Sequence, residues 1–261
     1  MPRHLYVTGQ AYTSGRGHYA DVTTCSRFEL AHVGALSTYG PTRGAIVGRP
    51  CERERVRAVL VTVGNLKGGC AKTTLAVALA EAGAAKWGSA LLVDADEQGS
   101  AMRWADLAGS GFRAVTVALP TVDLGRRLSG LDAGRYPLVV VDTGPGRADI
   151  LRAALALADV AAFPLRPALA DVDRLWRTAA LAAAVPVPAL AVLTFTRART
   201  VALTAAREAL KAGRVKVARV ELPQREAVAR SFGEPPNAEL FGIGAGLLAE
   251  LTRLATRKGT R

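Results

Sequence analysis

This sequence predicts an α/β fold, a doubly wound and mostly parallel sheet with helices on both faces, on three observations. Short apolar, strand-like runs alternate with longer helix-like stretches from about residue 56 onward. The first such run passes through Gly68 and Gly69 into Lys72, Thr73 and Thr74, where a helical stretch begins. Two later runs end in acids, Asp94 with Asp96 and then Asp142. Ligands of such sheets bind at the carboxyl edge, which is where these acids fall.

Taken in order, residues 1–55 scatter Gly, Tyr, Thr, Ser and His without a period of 2 or 3.6. They are expected to form a poorly ordered extension, or to precede a true translation start near Val56. The remainder, 56–261, reads as one domain. Strands are expected at 58–63, 90–94, 114–118, 138–142, 160–164, 190–194 and 215–221, each a short apolar run. Helices are expected at 73–86, 100–107, 122–128, 171–184, 201–212 and 238–256, where apolar residues recur at helical spacing.

The inventory of the chain narrows its chemistry. At 261 residues and 50% hydrophobic, it can bury one large core with an extension to spare. Its three cysteines, Cys25, Cys51 and Cys70, form no C-x-x-C pair, so neither a disulfide framework nor a zinc site is expected. The three histidines, His4, His18 and His32, all precede the glycine pair, which excludes a histidine-based triad within the main domain. Residues 1–8 lack the apolar core of a signal peptide. The longest apolar run, 179–193, is interrupted by Pro186 and Pro188, so no membrane span is expected and the protein should be cytoplasmic. A formal net charge of +12 favours an anionic partner such as nucleic acid or a lipid surface.

The stretch Leu66 to Thr74 reads as a phosphate-binding loop. Gly68 and Gly69 allow a tight turn that brings N–H groups to phosphate oxygens, and the following helix points its positive end at them. Lys72 is placed to bridge the β- and γ-phosphates, Thr73 to give its hydroxyl to Mg²⁺, and Thr74 to cap the helix or touch the α-phosphate. A glycine-rich turn before an ordinary helix is the alternative. The pattern G-x-x-x-x-G-K-[ST] fails at Leu66 and Ala71, whereas Lys67-Gly68-Gly69-Cys70-Ala71-Lys72-Thr73 fits K-G-G-x-x-K-[ST], the deviant Walker A box with a leading signature lysine. On these residues the chain resembles the ParA/MinD family of deviant Walker A P-loop ATPases. Small partition ATPases without an N-terminal repressor domain are the most similar.

Two further boxes extend the resemblance. Asp94-Ala95-Asp96-Glu97-Gln98-Gly99-Ser100 is similar to the family's D-x-D-P-Q-G-S, departing at Glu97, where proline is usual. The resemblance implies that Asp96 orients or polarises the attacking water and that Asp94 acts near the metal shell or the loop lysine. Helix-capping acids are the plain alternative. Leu138 to Asp142 resembles a Walker B strand, with Asp142 holding Mg²⁺ through water. The segment from Ala158 through Pro164, Arg166 and Pro167 to Asp171 also resembles the family, and Thr194 stands where relatives often carry asparagine. Leu222 to Arg225 is expected near the adenine.

The resemblance implies ATP and Mg²⁺ as cofactors, bound by Gly68, Gly69, Cys70, Ala71, Lys72, Thr73 and Thr74, with Thr73, Asp94 and Asp142 at the metal. Lys67, Lys72 and Asp96 would be the catalytic residues, Lys67 reaching across to a partner's nucleotide. It further implies an ATP-dependent homodimer that binds non-specific DNA, associates with the nucleoid and segregates a plasmid or chromosome with a centromere-binding, ParB-like protein. Two alternatives stand beside this, a MinD-like membrane-associated positioning ATPase and a P-loop synthetase acting on a small molecule. Charge supports the DNA reading: residues 197–230 hold nine bases against three acids, a net +6. Arg197, Arg199, Arg207, Lys211, Arg214 and Lys216 are the candidate phosphate contacts, and the lack of interleaved aromatics suits duplex DNA. The competing site is a stripe of Leu247, Leu248, Leu251 and Leu254 near Arg253, Arg257, Lys258 and Arg261. It would lie on a membrane surface or, more commonly for such a stripe, pack on the core.

Overall fold

A computed structural model describes residues 58–256 except 184 and 186. The extension expected over 1–55 and the tail cations Arg257, Lys258 and Arg261 lie outside the described residues. Seven strands form one parallel sheet in the order β3-β2-β4-β1-β5-β6-β7. They are β1 Val59–Val63, β2 Leu91–Ala95, β3 Val115–Ala118, β4 Leu138–Thr143, β5 Val160–Leu165, β6 Ala189–Thr196 and β7 Leu222–Pro223. Strands β4 and β5 are buried throughout and mostly apolar, as a parallel sheet covered on both faces requires.

Helices α1 (Lys72–Trp87), α2 (Ser100–Ala108) and α8 (Ala238–Thr256) pack on one face, through Leu75, Leu79, Trp104, Leu240 and Leu247 against Val61, Leu92, Val140 and Val192. The other face receives α3 (Leu124–Gly130), α4 (Ala148–Leu157), α5 (Leu169–Ala183) and α6 (Val201–Ala212). The short α7 (Glu226–Ala229) follows β7. Helix α1 is alanine- and leucine-rich and buried through most of its length, because α8 lies directly over it. A Cβ at Gly244 of α8 would fall 2.1 Å from the carbonyl oxygen of Ala78, so only glycine permits this approach. Leu247, Leu248 and Leu251 are 0–2% exposed, so the leucine stripe is core packing rather than a membrane-facing surface. No helix among the described residues is long and apolar enough to cross a membrane.

Two expectations need correction. Residues 215–221 do not form a full strand: only Val217 bridges to Ala191 of β6. Glu250 of α8 accepts the N–H groups of Arg219 (3.0 and 3.1 Å) and Val220 (3.1 Å), and the Val220 N–H is the one that would continue the ladder beyond Ala218. Conversely, α4 is absent from the expected helices, although Ile150, Leu151, Ala154 and Leu155 recur at helical spacing and Asp149 favours its first turn.

Candidate nucleotide site

Strand β1 delivers the loop Gly64–Ala71 at the carboxyl edge. Gly64 leaves room for α4, since a Cβ there would lie 2.3 Å from Leu151 Cδ1 and force that side chain to shift. Asn65, 1% exposed, braces the loop: its Nδ2 donates to Pro164 O at 2.7 Å and its Oδ1 accepts from Lys67 N at 3.0 Å. Gly69 and Ala71 both adopt left-handed backbone, with φ of 67° and 66°. Three loop carbonyls are then taken by side chains. Lys67 O accepts from Lys72 Nζ (2.8 Å), Gly69 O from Arg166 Nε (3.0 Å) and Cys70 O from Thr194 Oγ1 (3.2 Å).

The donors are left over. Among the described residues, no backbone N–H from Gly68 to Thr74 has an intramolecular acceptor. A run of unpaired N–H groups ending at a helix N-terminus is an anion-binding nest. Lys72, 6% exposed, adds a fixed positive charge beneath it.

The acids converge from β2 and β4, which pair in register at Asp94 and Asp142. Asp94 is buried, and its two oxygens accept from Asp96 N (3.1 Å) and Met102 N (2.9 Å), so it anchors the following loop and the start of α2. Burial, more than the neighbouring Asp96 carboxylate, holds its carboxyl above the usual range. Asp142 is fully buried and neither of its oxygens has a hydrogen-bond partner. Burial, reinforced by Asp94, pushes it up to about 8, while the Thr73 hydroxyl, nearby without forming a full hydrogen bond, and Lys72 favour its charged form. Asp96 sits beyond the edge, accepting from Gln98 N at 3.0 Å. It presses on the loop after β4, where a Cβ at Gly144 would fall 2.7 Å from Asp96 Oδ1.

Lys67 and Asp171 form an ion pair within the chain. With Arg166, whose guanidinium also lies over the Phe195 ring at 4.7 Å, Asp171 brings the β5–α5 segment onto the phosphate loop. Sequence reasoning places these two residues in the family pattern without giving them a contact. An acid five residues after an arginine that is followed by proline is the available signal.

A model of the CobQ/CobB/MinD/ParA nucleotide binding domain matches residues 61–235. The chain belongs to this family. The "Maintenance of carboxysome distribution protein A" of Gloeobacter kilaueensis is 45% identical over 121 residues, which is 46% of this chain and 54% of that protein. The chain thus spans about half the length of that curated relative. Among solved structures, a putative plasmid partition protein of Borrelia burgdorferi bound to AMPPNP superposes with a TM-score of 0.59 at 17% identity, covering 75% of this chain and all of that one. The MinC:MinD cell division protein complex of Aquifex aeolicus gives 0.60 at 15% identity, covering 74% and 96%. These likenesses establish the ParA/MinD fold.

The residues present fit a nucleoside triphosphate with Mg²⁺. The N–H groups of the loop suit phosphate oxygens, and the partnerless carboxylate of Asp142 suits a cation or its bound water. Asp94 is less suited to the metal, because backbone donors occupy both its oxygens. Mg²⁺ is commonly held by one or two carboxylates together with substrate phosphates, and Asp142 and the Thr73 hydroxyl would supply the protein's share of such a set.

The six candidate DNA contacts are all exposed, but they form a stripe rather than a compact patch. Arg197 and Arg199 lie at the nucleotide edge between β6 and α6. Arg207 and Lys211 follow α6, about 18 Å long from its 1.5 Å rise per residue. Arg214 and Lys216 lie at the opposite edge, where Lys216 O accepts from Ala191 N near the start of β6 (2.8 Å). Arg197 binds Gln224 (2.9 Å) and Arg207 pairs with Glu221, so these two are the more constrained.

Proposed function

We propose that this chain is a ParA-type positioning ATPase that binds ATP and Mg²⁺, closes as a nucleotide-sandwich dimer and uses non-specific DNA as its track for moving a cargo with a partner protein. The observation that carries the reading is the row of unpaired N–H groups from Gly68 to Thr74 set against the buried, partnerless Asp142 carboxylate. Family membership supports the nucleotide, and the basic stripe along α6 supports the DNA.

Bound Mg²⁺ would neutralise charge on the β- and γ-phosphates and orient them. The chain's own parts do the rest. The loop N–H groups and Lys72 would bind and fix the phosphates, Thr73 and Asp142 would hold the metal, and Asp96 would orient a water toward the γ-phosphate. Asp94 keeps Asp96 in place through its N–H. Lys67, once released from Asp171, extends to the second subunit's nucleotide. A partner protein then speeds hydrolysis and release from DNA.

The test is retention of random-sequence duplex DNA with ATP, with ADP and without nucleotide. DNA binding that requires ATP and is lost in Lys72→Ala supports the reading. Equal binding in all three states overturns it, and no DNA binding in any state with ATP-dependent sedimentation on anionic liposomes overturns it in favour of membrane positioning.

A further inference from the structure

The loop after β2 and the loop after β4 are joined by charge as well as by packing. Glu97, directly after Asp96, ion-pairs with Arg147, the residue that opens α4. Arg147 is itself held in place by Asp149 through two hydrogen bonds, Nε to Oδ1 at 3.0 Å and Nη2 to Oδ2 at 2.9 Å. A few residues away the same two loops touch at Asp96 and Gly144. Position 97 is where the box departs from its usual proline, and proline would leave Arg147 paired only with Asp149, on its own side, with no charge joining it to the Asp96 loop.

We propose that the Glu97–Arg147 ion pair is a positioning element for hydrolysis, holding the Asp96 loop against the loop that follows Asp142 so that Asp96 meets the γ-phosphate. The inference rests on the ATPase reading above. The first loop carries Asp96 and the second leaves β4 directly after Asp142 and Thr143, so their spacing would set where Asp96 stands relative to Asp142. The pair is partly exposed, at 59% for Glu97 and 40% for Arg147. Its effect is therefore modest and screened by salt. Nucleotide binding depends on the phosphate loop and Lys72, which the pair does not touch, so the pair acts on turnover rather than affinity.

The experiment uses the full chain and compares E97Q, R147Q and the double variant by phosphate release over a range of ATP and NaCl concentrations. Affinity for a fluorescent non-hydrolysable ATP analogue is followed in parallel. E97Q is expected to lower kcat by about two- to fivefold, the range of a partly exposed ion pair, with KM and analogue affinity unchanged. The deficit should shrink as NaCl rises toward about 0.5 M, because screening removes the pair from the parent too. In the R147Q background, E97Q should have no further effect. Parent-like kcat in E97Q at every salt concentration, or the same E97Q deficit with and without Arg147, overturns the proposal while leaving the ATPase reading intact. A parent protein that binds no analogue and releases no phosphate overturns both.

Discussion

Lys67, the leading lysine of the phosphate loop, is ion-paired in cis with Asp171 of α5. Asp171 is 3% exposed and its second oxygen has no hydrogen-bond partner, so the pair closes off a carboxylate that would otherwise be buried with an uncompensated charge. For Lys67 to reach a second subunit, this bond must open. Asp171→Asn should therefore favour ATP-dependent dimerisation, shifting it to several-fold lower ATP, while Lys67→Ala should bind ATP yet lose hydrolysis by about 10³-fold or more, the scale of a charge supplied in trans. Light scattering with phosphate release checks both, and unchanged dimerisation in Asp171→Asn would argue that the pair is only a brace.

Among the described residues the Asp96 carboxylate accepts one hydrogen bond, from Gln98 N, and it lies against Gly144, a posture suited to a water-orienting acid. Asp96→Ala should bind ATP normally, lose turnover by about 10²-fold or more and accumulate a closed dimer on gel filtration. Turnover at the parent rate would remove Asp96 from the chemistry.

The buried Asp142 carboxyl, raised to about 8 from an ordinary 3.8, gives the nucleotide-free protein a definite pH signature. The folded state retains this proton over a window where the unfolded chain has lost it. Its contribution to stability is therefore complete below about pH 4, falls as pH rises and is gone above about pH 8. Asp142→Asn should flatten thermal stability against pH across that window, with the variant gaining most relative to the parent at pH 8 and above. Parallel curves for the two proteins would mean that Asp142 is not protonated in the folded protein.

Arg199, Arg214 and Lys216 have no side-chain ion pair among the described residues, unlike Arg207. Replacing all three should weaken binding to every duplex sequence alike and reduce the slope of log affinity against log salt by roughly 0.9 for each phosphate no longer neutralised. ATP turnover without DNA should persist. An unchanged slope would move the DNA site off this stripe.

Much of this architecture is legible in the chain. The parallel sheet follows from buried apolar runs, and the phosphate loop, Asp96 and Asp142 follow from residue types at strand ends. The contacts of Arg166 and Asp171 with the loop are not legible, because they join segments about a hundred residues apart. The strand expected at 215–221 fails for a similar reason: its β-like composition is local, while the competing acceptor, Glu250, comes from α8. The helix at 148–157 escapes notice although its spacing is plain, masked by the glycines and proline just before it.

Ala71 has a further consequence. Its backbone is left-handed, a conformation that disfavours a side chain by about 1–2 kcal/mol, and it occupies a place where the strict motif has glycine. The shape of the binding loop is thus held in part from outside, through Thr194 on Cys70 O and Arg166 on Gly69 O, beside the loop's own Asn65. Nucleotide affinity in this chain becomes a distributed property. The ends of β5 and β6, which lie outside the loop's own sequence, are places where natural variation would retune it, and the loop alone, transplanted to another scaffold, would not carry its geometry along.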